Sequence, residues 1–302
     1  MRKRLMAAAA IAPFTLVGLQ PALAQTTISN TQSAPQSTSS TGDLTIATGG
    51  TLQPTVSGAA ITLNSNNSVT NAGSITTNNV DNVTGILVQG GFSGTVLNAG
   101  AITLTESYTP TDSVNADGVA EAPFAQGTTR YGIRLLGPFT GSVSNSGSIS
   151  IQGNNSVAIA IDGGLAGSLV STGGISVSGD NSLGIRTAGE ITGGVQISGA
   201  VSVRGVNAIG VQTNGQIDGA LTFYTSVTST GYATTTRTTG TTTLQKIEAT
   251  PTDVQQGGVA VQVKGSVLQG IFLGAPPIGT LVGSTDDLDG DGIADGVEGT
   301  AV

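Results

Sequence analysis

The chain predicts an all-β fold, a parallel β-solenoid (β-helix) built from coils of about 26 residues with three short strands each, and three observations predict it. First, glycines recur at that step as Gly141, Gly167, Gly193 and Gly219, and three further columns keep it: Gly147/Gly173/Gly199, Gly153/Gly179/Gly205 and Gly163/Gly189/Gly215. Second, apolar residues share the register, as Val143/Leu169/Val195, Ile149/Ile175/Val201, Ile151/Val177/Val203, Val157/Leu183/Ile209, Ile159/Ile185/Val211 and Leu165/Ile191/Ile217. Third, within each unit the apolar residues alternate with Ser, Thr, Gln or Gly, as in Ser148, Ile149, Ser150 and Ile151, the pattern of a strand with one buried face. A unit this short cannot bury its own apolar face. It gains stability by stacking on its neighbours at strand spacing, roughly 4.8 Å.

Composition narrows the function classes. The 302 residues include 46 glycines, 3% aromatic and 9% charged residues, and no Cys or His. A disulfide, a thiol nucleophile, an imidazole base and a Cys/His zinc site are therefore excluded. The formal charge of −8 repels a phosphate backbone, so no nucleic acid partner is expected. The 37% hydrophobic content argues for a buried core rather than disorder.

Residues 1–24 read as a secretory signal peptide: a basic head at Arg2, Lys3 and Arg4, an apolar stretch from Leu5 to Leu19, and the small-residue box Ala22, Leu23 and Ala24. The apolar stretch is short for a membrane span and is broken by Pro13 and Gly18. A chain without Cys suits export to the cell surface or medium. Residues 25–42, rich in Ser, Thr and Gln, are expected as a flexible lead-in. The solenoid is expected over 43–275. Its Gly and Asn residues, including the columns Asn155/Asn181/Asn207 and Asn71/Asn98/Asn145, would supply bends at positive φ and amides that hydrogen-bond along the axis.

Two interruptions of the period predict insertions. Gly94 to Gly141 spans 47 residues, which places one near 105–127, and Gly219 to Gly270 spans 51, which places another near 223–257. Both follow a strand and should project as loops. Tyr108, Tyr224, Tyr232, Arg237 and Lys246 fall in or beside them and are candidate partner contacts, because Tyr and Arg are favoured at recognition surfaces and loops carry function on rigid scaffolds.

The unit Val-x-Asn-x-Gly-x-Ile occurs at Val69, Asn71, Gly73 and Ile75, at Val96, Asn98, Gly100 and Ile102, and at Val143, Asn145, Gly147 and Ile149, followed by Gly-Ile at 85–86, 132–133 and 184–185. Over roughly residues 43–275 the chain resembles the passenger domains of bacterial autotransporters. That resemblance implies a right-handed parallel β-helix, exported through a C-terminal outer-membrane barrel and displayed at the cell surface for adhesion to a receptor, a glycan or a neighbouring cell. The amphipathic strand train of such a barrel does not occur within these residues. Two expectations stay open: a longer product with a membrane-anchoring barrel downstream, or a self-contained secreted protein.

The segment 276–302 is expected as a Pro/Gly linker and an acidic tail. Six of the eighteen carboxylates fall between Asp286 and Glu298. The run from Asp287 through Asp289, Asp291, Gly292, Ile293 and Asp295 to Glu298 fits a calcium loop: alternate Asp carboxylates converge, Gly292 permits the turn, Ile293 offers a carbonyl and Glu298 closes the site. It resembles a single Asp-rich repeat of the thrombospondin type 3 or dockerin kind, and Ca²⁺ would bind on the scale of about 10⁻⁴ to 10⁻³ M. Polysaccharide-acting β-helices need paired carboxylates on one face. Projected on the period, Asp162, Asp180, Glu190 and Asp218 scatter around the coil, while Arg134 and Arg186 share a column without a carboxylate pair. No catalytic residues are expected.

Overall fold

The computed structural model describes residues 25–112, 120–231 and 257–274. They wind into a parallel β-helix whose coils visit three sheets in turn. Sheet A runs from strand Thr26–Ile28 to Ile271–Leu273, sheet B from Thr31–Gln32 to Val227–Thr230, and sheet C from Gln36–Ser37 to Val261–Val263. All ladders between coils are parallel. The one helix among the described residues is a single turn, Thr38–Thr41, and no described helix is long and apolar enough to cross a membrane.

Five of the six apolar columns read from the period face inward; in the sixth, Val157/Leu183/Ile209, Val157 is buried while Leu183 and Ile209 are half-buried. Val143 pairs with Leu169 and Leu169 with Val195 in sheet A; Ile149, Ile175 and Val201 align in sheet B; Ile159, Ile185 and Val211 align in sheet C. The bridges Leu165–Ile191–Ile217 line a further corner. These side chains form one continuous core, each almost fully buried.

The expected flexible lead-in is the first coil. Strands Thr26–Ile28, Thr31–Gln32 and Gln36–Ser37 pair with Leu44–Ile46, Thr51–Leu52 and Gly58–Leu63 respectively. Composition misleads here because half of a solenoid strand faces solvent in any case, and Thr suits such a pleated surface. One buried Ile28 and one buried Thr38 supply the inward contacts.

The glycine columns mark close approaches between coils as well as bends. A Cβ on Gly173 would lie 1.6 Å from the carbonyl oxygen of Gly147 one coil earlier, with no positive φ involved. Positive φ is taken both by glycines of the columns, such as Gly179 and Gly205 at 149° and 146°, and by Asn155, Asn181 and Asn207 at 52°, 54° and 56°; asparagine tolerates the left-handed region better than other residues with a Cβ.

A second polar column runs inside the core. Asn71 Nδ2 donates to Asn98 Oδ1 at 2.7 Å, Asn98 Nδ2 to Asn145 Oδ1 at 2.7 Å, and Asn145 Nδ2 to Ser171 Oγ at 3.3 Å. All four residues are fully buried. Ile46 precedes them in the column and Ile197 follows. Each amide nitrogen finds a partner, which offsets most of the cost of removing these groups from water, while Asn71 Oδ1 at the end next to Ile46 has none.

Both insertions leave the solenoid at one corner, between sheets B and C. The first lies between strands Ala101–Thr105 and Arg130–Leu135, close to the expected bounds. The second begins later than expected, because Val227–Thr230 is still in register with Val201–Arg204. Leu221 pairs with Ile271, a step of 50 residues, so Gly270 is not the counterpart of Gly219 and the extra length is 24 residues beyond the 26-residue period. Four strand steps separate the insertions along sheet B, or roughly 19 Å at strand spacing.

Candidate binding cleft beside the first insertion

The first insertion is fastened at both ends to one cation. Arg130, at the start of its sheet C strand, is 1% exposed. Its guanidinium lies 2.9 Å from Asp81 and 3.1 Å from Glu106 and donates to the carbonyls of Val80 and Gln152. Glu106 leads into the insertion and accepts the backbone N–H groups of Gln126 and Gly127, both at 2.6 Å, where the insertion returns. Asp81 accepts the N–H of Thr128 at 2.9 Å. Every buried charge here is paired and hydrogen-bonded, the condition under which burial is tolerated. The two carboxylates are committed to holding the chain.

Further bonds lay the insertion against the outer face of sheet B. Gln152 Nε2 donates to the carbonyls of Tyr108 at 2.8 Å and Phe124 at 3.1 Å, and Asn154 Nδ2 donates to that of Ala125 at 3.1 Å. The Tyr108 hydroxyl donates to the Pro123 carbonyl at 3.0 Å, closing the insertion on itself. Phe124 and Ala125 are buried beneath it.

A cleft of about 210 Å³ opens between insertion and wall. The insertion side is Pro110 and Phe124; the wall side is Thr105, Ser150, Ile151, Gln152, Ser176, Ser178 and Arg204. Strand alternation explains the wall, since Gln152, Ser178 and Arg204 form one outward column and Ser150 and Ser176 another. The Arg204 guanidinium carbon sits 5.4 Å from the centroid of the Phe124 ring, within cation–π range. Burial holds its pKa below the ordinary arginine value, and among the described residues no carboxylate forms an ion pair with it.

A third charged group lies on the outside of sheet C. Asp162 accepts from Arg134 Nε at 2.8 Å and from Arg186 Nε at 3.0 Å, bridging arginines that flank Ala160, and Arg134 also lies 4.1 Å over the Tyr131 ring. The shared arginine column was legible. Its carboxylate was not, because Asp162 stands outside that column and reaches back to it.

Of the candidate contacts, Tyr108 is in the first insertion beside the cleft. Tyr224 is not in an insertion; it follows the sheet A strand Leu221–Phe223, its N–H bonded to the Ile197 carbonyl at 2.8 Å. Tyr232, Arg237 and Lys246 lie outside the described residues, as do the signal peptide and the calcium-loop candidates Asp287, Asp289, Asp291, Ile293, Asp295 and Glu298. Among the described residues no group of three or more His, Cys, Asp or Glu is placed to hold a metal ion. Sequence reasoning missed Asp81, Glu106, Phe124, Arg130 and Arg204. An acid just after one strand and a base at the start of the next, flanking an insertion, was the available signal for Glu106 and Arg130.

The architecture defines the class of protein: a parallel β-helix of three sheets, with both interruptions of its period at the corner between sheets B and C. Comparison with protein-family models, with curated proteins and with solved structures finds no match.

Proposed function

We propose that this chain is a surface-exposed or secreted passenger module of the autotransporter kind, structural and adhesive, without catalysis of its own. The observation that supports this most is the corner between sheets B and C: the strands that flank both insertions meet there, and the ends of the first insertion are held by the buried Arg130 and its two carboxylates. Insertion ends fixed in this way hold the segments beside the wall in a defined place, which suits recognition of a receptor, a glycan or a neighbouring cell. The carboxylates of that region, Asp81 and Glu106, are engaged by Arg130 and backbone N–H groups, which favours a structural role for them over acid–base chemistry.

Immunoblotting of fractionated cells and medium, with antibody against residues 142–219, tests the proposal. A surface-associated product much larger than 29.6 kDa supports a passenger anchored by a downstream barrel. A soluble extracellular product slightly below that mass supports a self-contained secreted helix. A product of unprocessed mass confined to the cytoplasm rejects both.

The acidic tail motivates a calcium-dependent form of the secreted reading, in a matrix or surface layer. Titration calorimetry is expected to show Ca²⁺ uptake at about 10⁻⁴ to 10⁻³ M that disappears in Asp289→Ala/Asp291→Ala. Absence of heat in the parent chain rejects the calcium loop.

A further inference from the structure

We infer that the cleft between the first insertion and sheet B binds an acidic saccharide, with a ring carboxylate pairing with Arg204, ring carbons against Pro110 and Phe124, and hydroxyls reaching Ser150, Ser176 and Ser178. The inference rests on the reading of the insertions as binding elements and names what this one takes. Three features carry it.

The first is an unbalanced charge. Arg204 is partly buried under the insertion and stacked near Phe124, and no carboxylate of the described residues pairs with it. The other arginines of the described residues, Arg130, Arg134 and Arg186, stand on sheet C strands and all have acid partners. A desolvated guanidinium without an anion is an unfavourable arrangement that a bound carboxylate relieves through two parallel N–H···O bonds. One guanidinium matches one monovalent acid. A dianionic phosphate ester would bring a second negative charge that nothing in the cleft balances, into a chain of net charge −8.

The second is amphipathic lining. Pro110 and the edge of the largely buried Phe124 make one side apolar and the serines make the other hydroxyl-rich. A pyranose has this division, with C–H faces and a hydroxyl rim, whereas a simple carboxylate uses only the arginine. The third is size. About 210 Å³ is below the roughly 300–1,000 Å³ of drug-sized sites, so the cleft takes one ring at a time and, being open to solvent, lets a chain continue past it.

The test is titration calorimetry of the full chain with trigalacturonic acid, maltotriose, acetate and glucose 1-phosphate, with a calcium chelator present throughout so that the acidic tail cannot bridge through metal. The expected result is saturable heat with the tri-uronate and at least tenfold weaker binding of the other three. Arg204→Gln, and separately Ser176→Phe, which fills the cleft while keeping the arginine, should each weaken the tri-uronate at least tenfold with the melting temperature unchanged. No heat with the tri-uronate, equal affinity in both variants, or equal affinity for maltotriose, acetate or the phosphate ester overturns the assignment. Failure here with an exported product leaves the passenger reading standing. A cytoplasmic, unprocessed product removes that reading whatever the cleft binds.

Discussion

Gly173→Val is expected to abolish cooperative folding of the solenoid. The added Cβ would meet three backbone atoms, Gly147 O at 1.6 Å, Gly147 C at 2.7 Å and Ser146 C at 2.8 Å. No side chain can rotate away to relieve this, so the coils must separate and the ladders on either side lose their hydrogen bonds. Destabilisation above about 4–5 kcal/mol follows, comparable to the whole stability of many domains, roughly 5–15 kcal/mol. Gly174→Ala is the control: a Cβ there meets nothing within 4 Å, and the change should leave the melt nearly unaltered. Thermal melts by circular dichroism check the pair. A Gly173→Val chain melting like the parent would mean that these coils do not stack in this register.

Arg130→Gln is expected to cost about 3–5 kcal/mol, the scale for breaking a buried ion pair and leaving its partner uncompensated. Glu106, with its side chain 5% exposed, would keep its two N–H donors but lose its cation, and Asp81 would lose the same partner. The effect should also be local. Because Glu106 binds both ends of the insertion, limited proteolysis should cut within residues 105–127 faster in the variant than in the parent. Chemical denaturation gives the global effect and a protease time course the local one. Unchanged cleavage together with unchanged stability would refute the anchoring role of Arg130.

The solenoid was legible because a fixed step forces residues such as Ile149, Ile175 and Val201 into one column, and pairing in the fold follows that column. The first coil was not, because Ile28 is a lone apolar residue in a polar stretch and a composition reading averages it away. The second insertion was misplaced by one glycine: Gly270 stands one residue beyond the true counterpart of Gly219, and the alignment hid the strand Val227–Thr230. The cleft was the least legible feature. Columns report which residues stack within a wall, but Phe124 reaches Arg204 by folding an insertion across several coils, and no periodicity encodes that approach. Tyr224 falls inside the insertion expected at 223–257, but the strands on either side of it, Leu221–Phe223 and Val227–Thr230, place it in the solenoid itself.

The buried column Ile28, Ile46, Asn71, Asn98, Asn145, Ser171, Ile197, Phe223 has a consequence for how near-identical coils avoid being interchanged. A nascent coil that skipped a turn would find equally good apolar contacts almost anywhere along the helix. It would not find an amide. Asn71 matched against Ile197, or Asn145 against Ile46, would leave a buried polar group without a partner, at about 1–3 kcal/mol for each such group. The amides thus act as an address printed on otherwise interchangeable units, making a slipped assembly costlier than the correct one at the three coils that carry them.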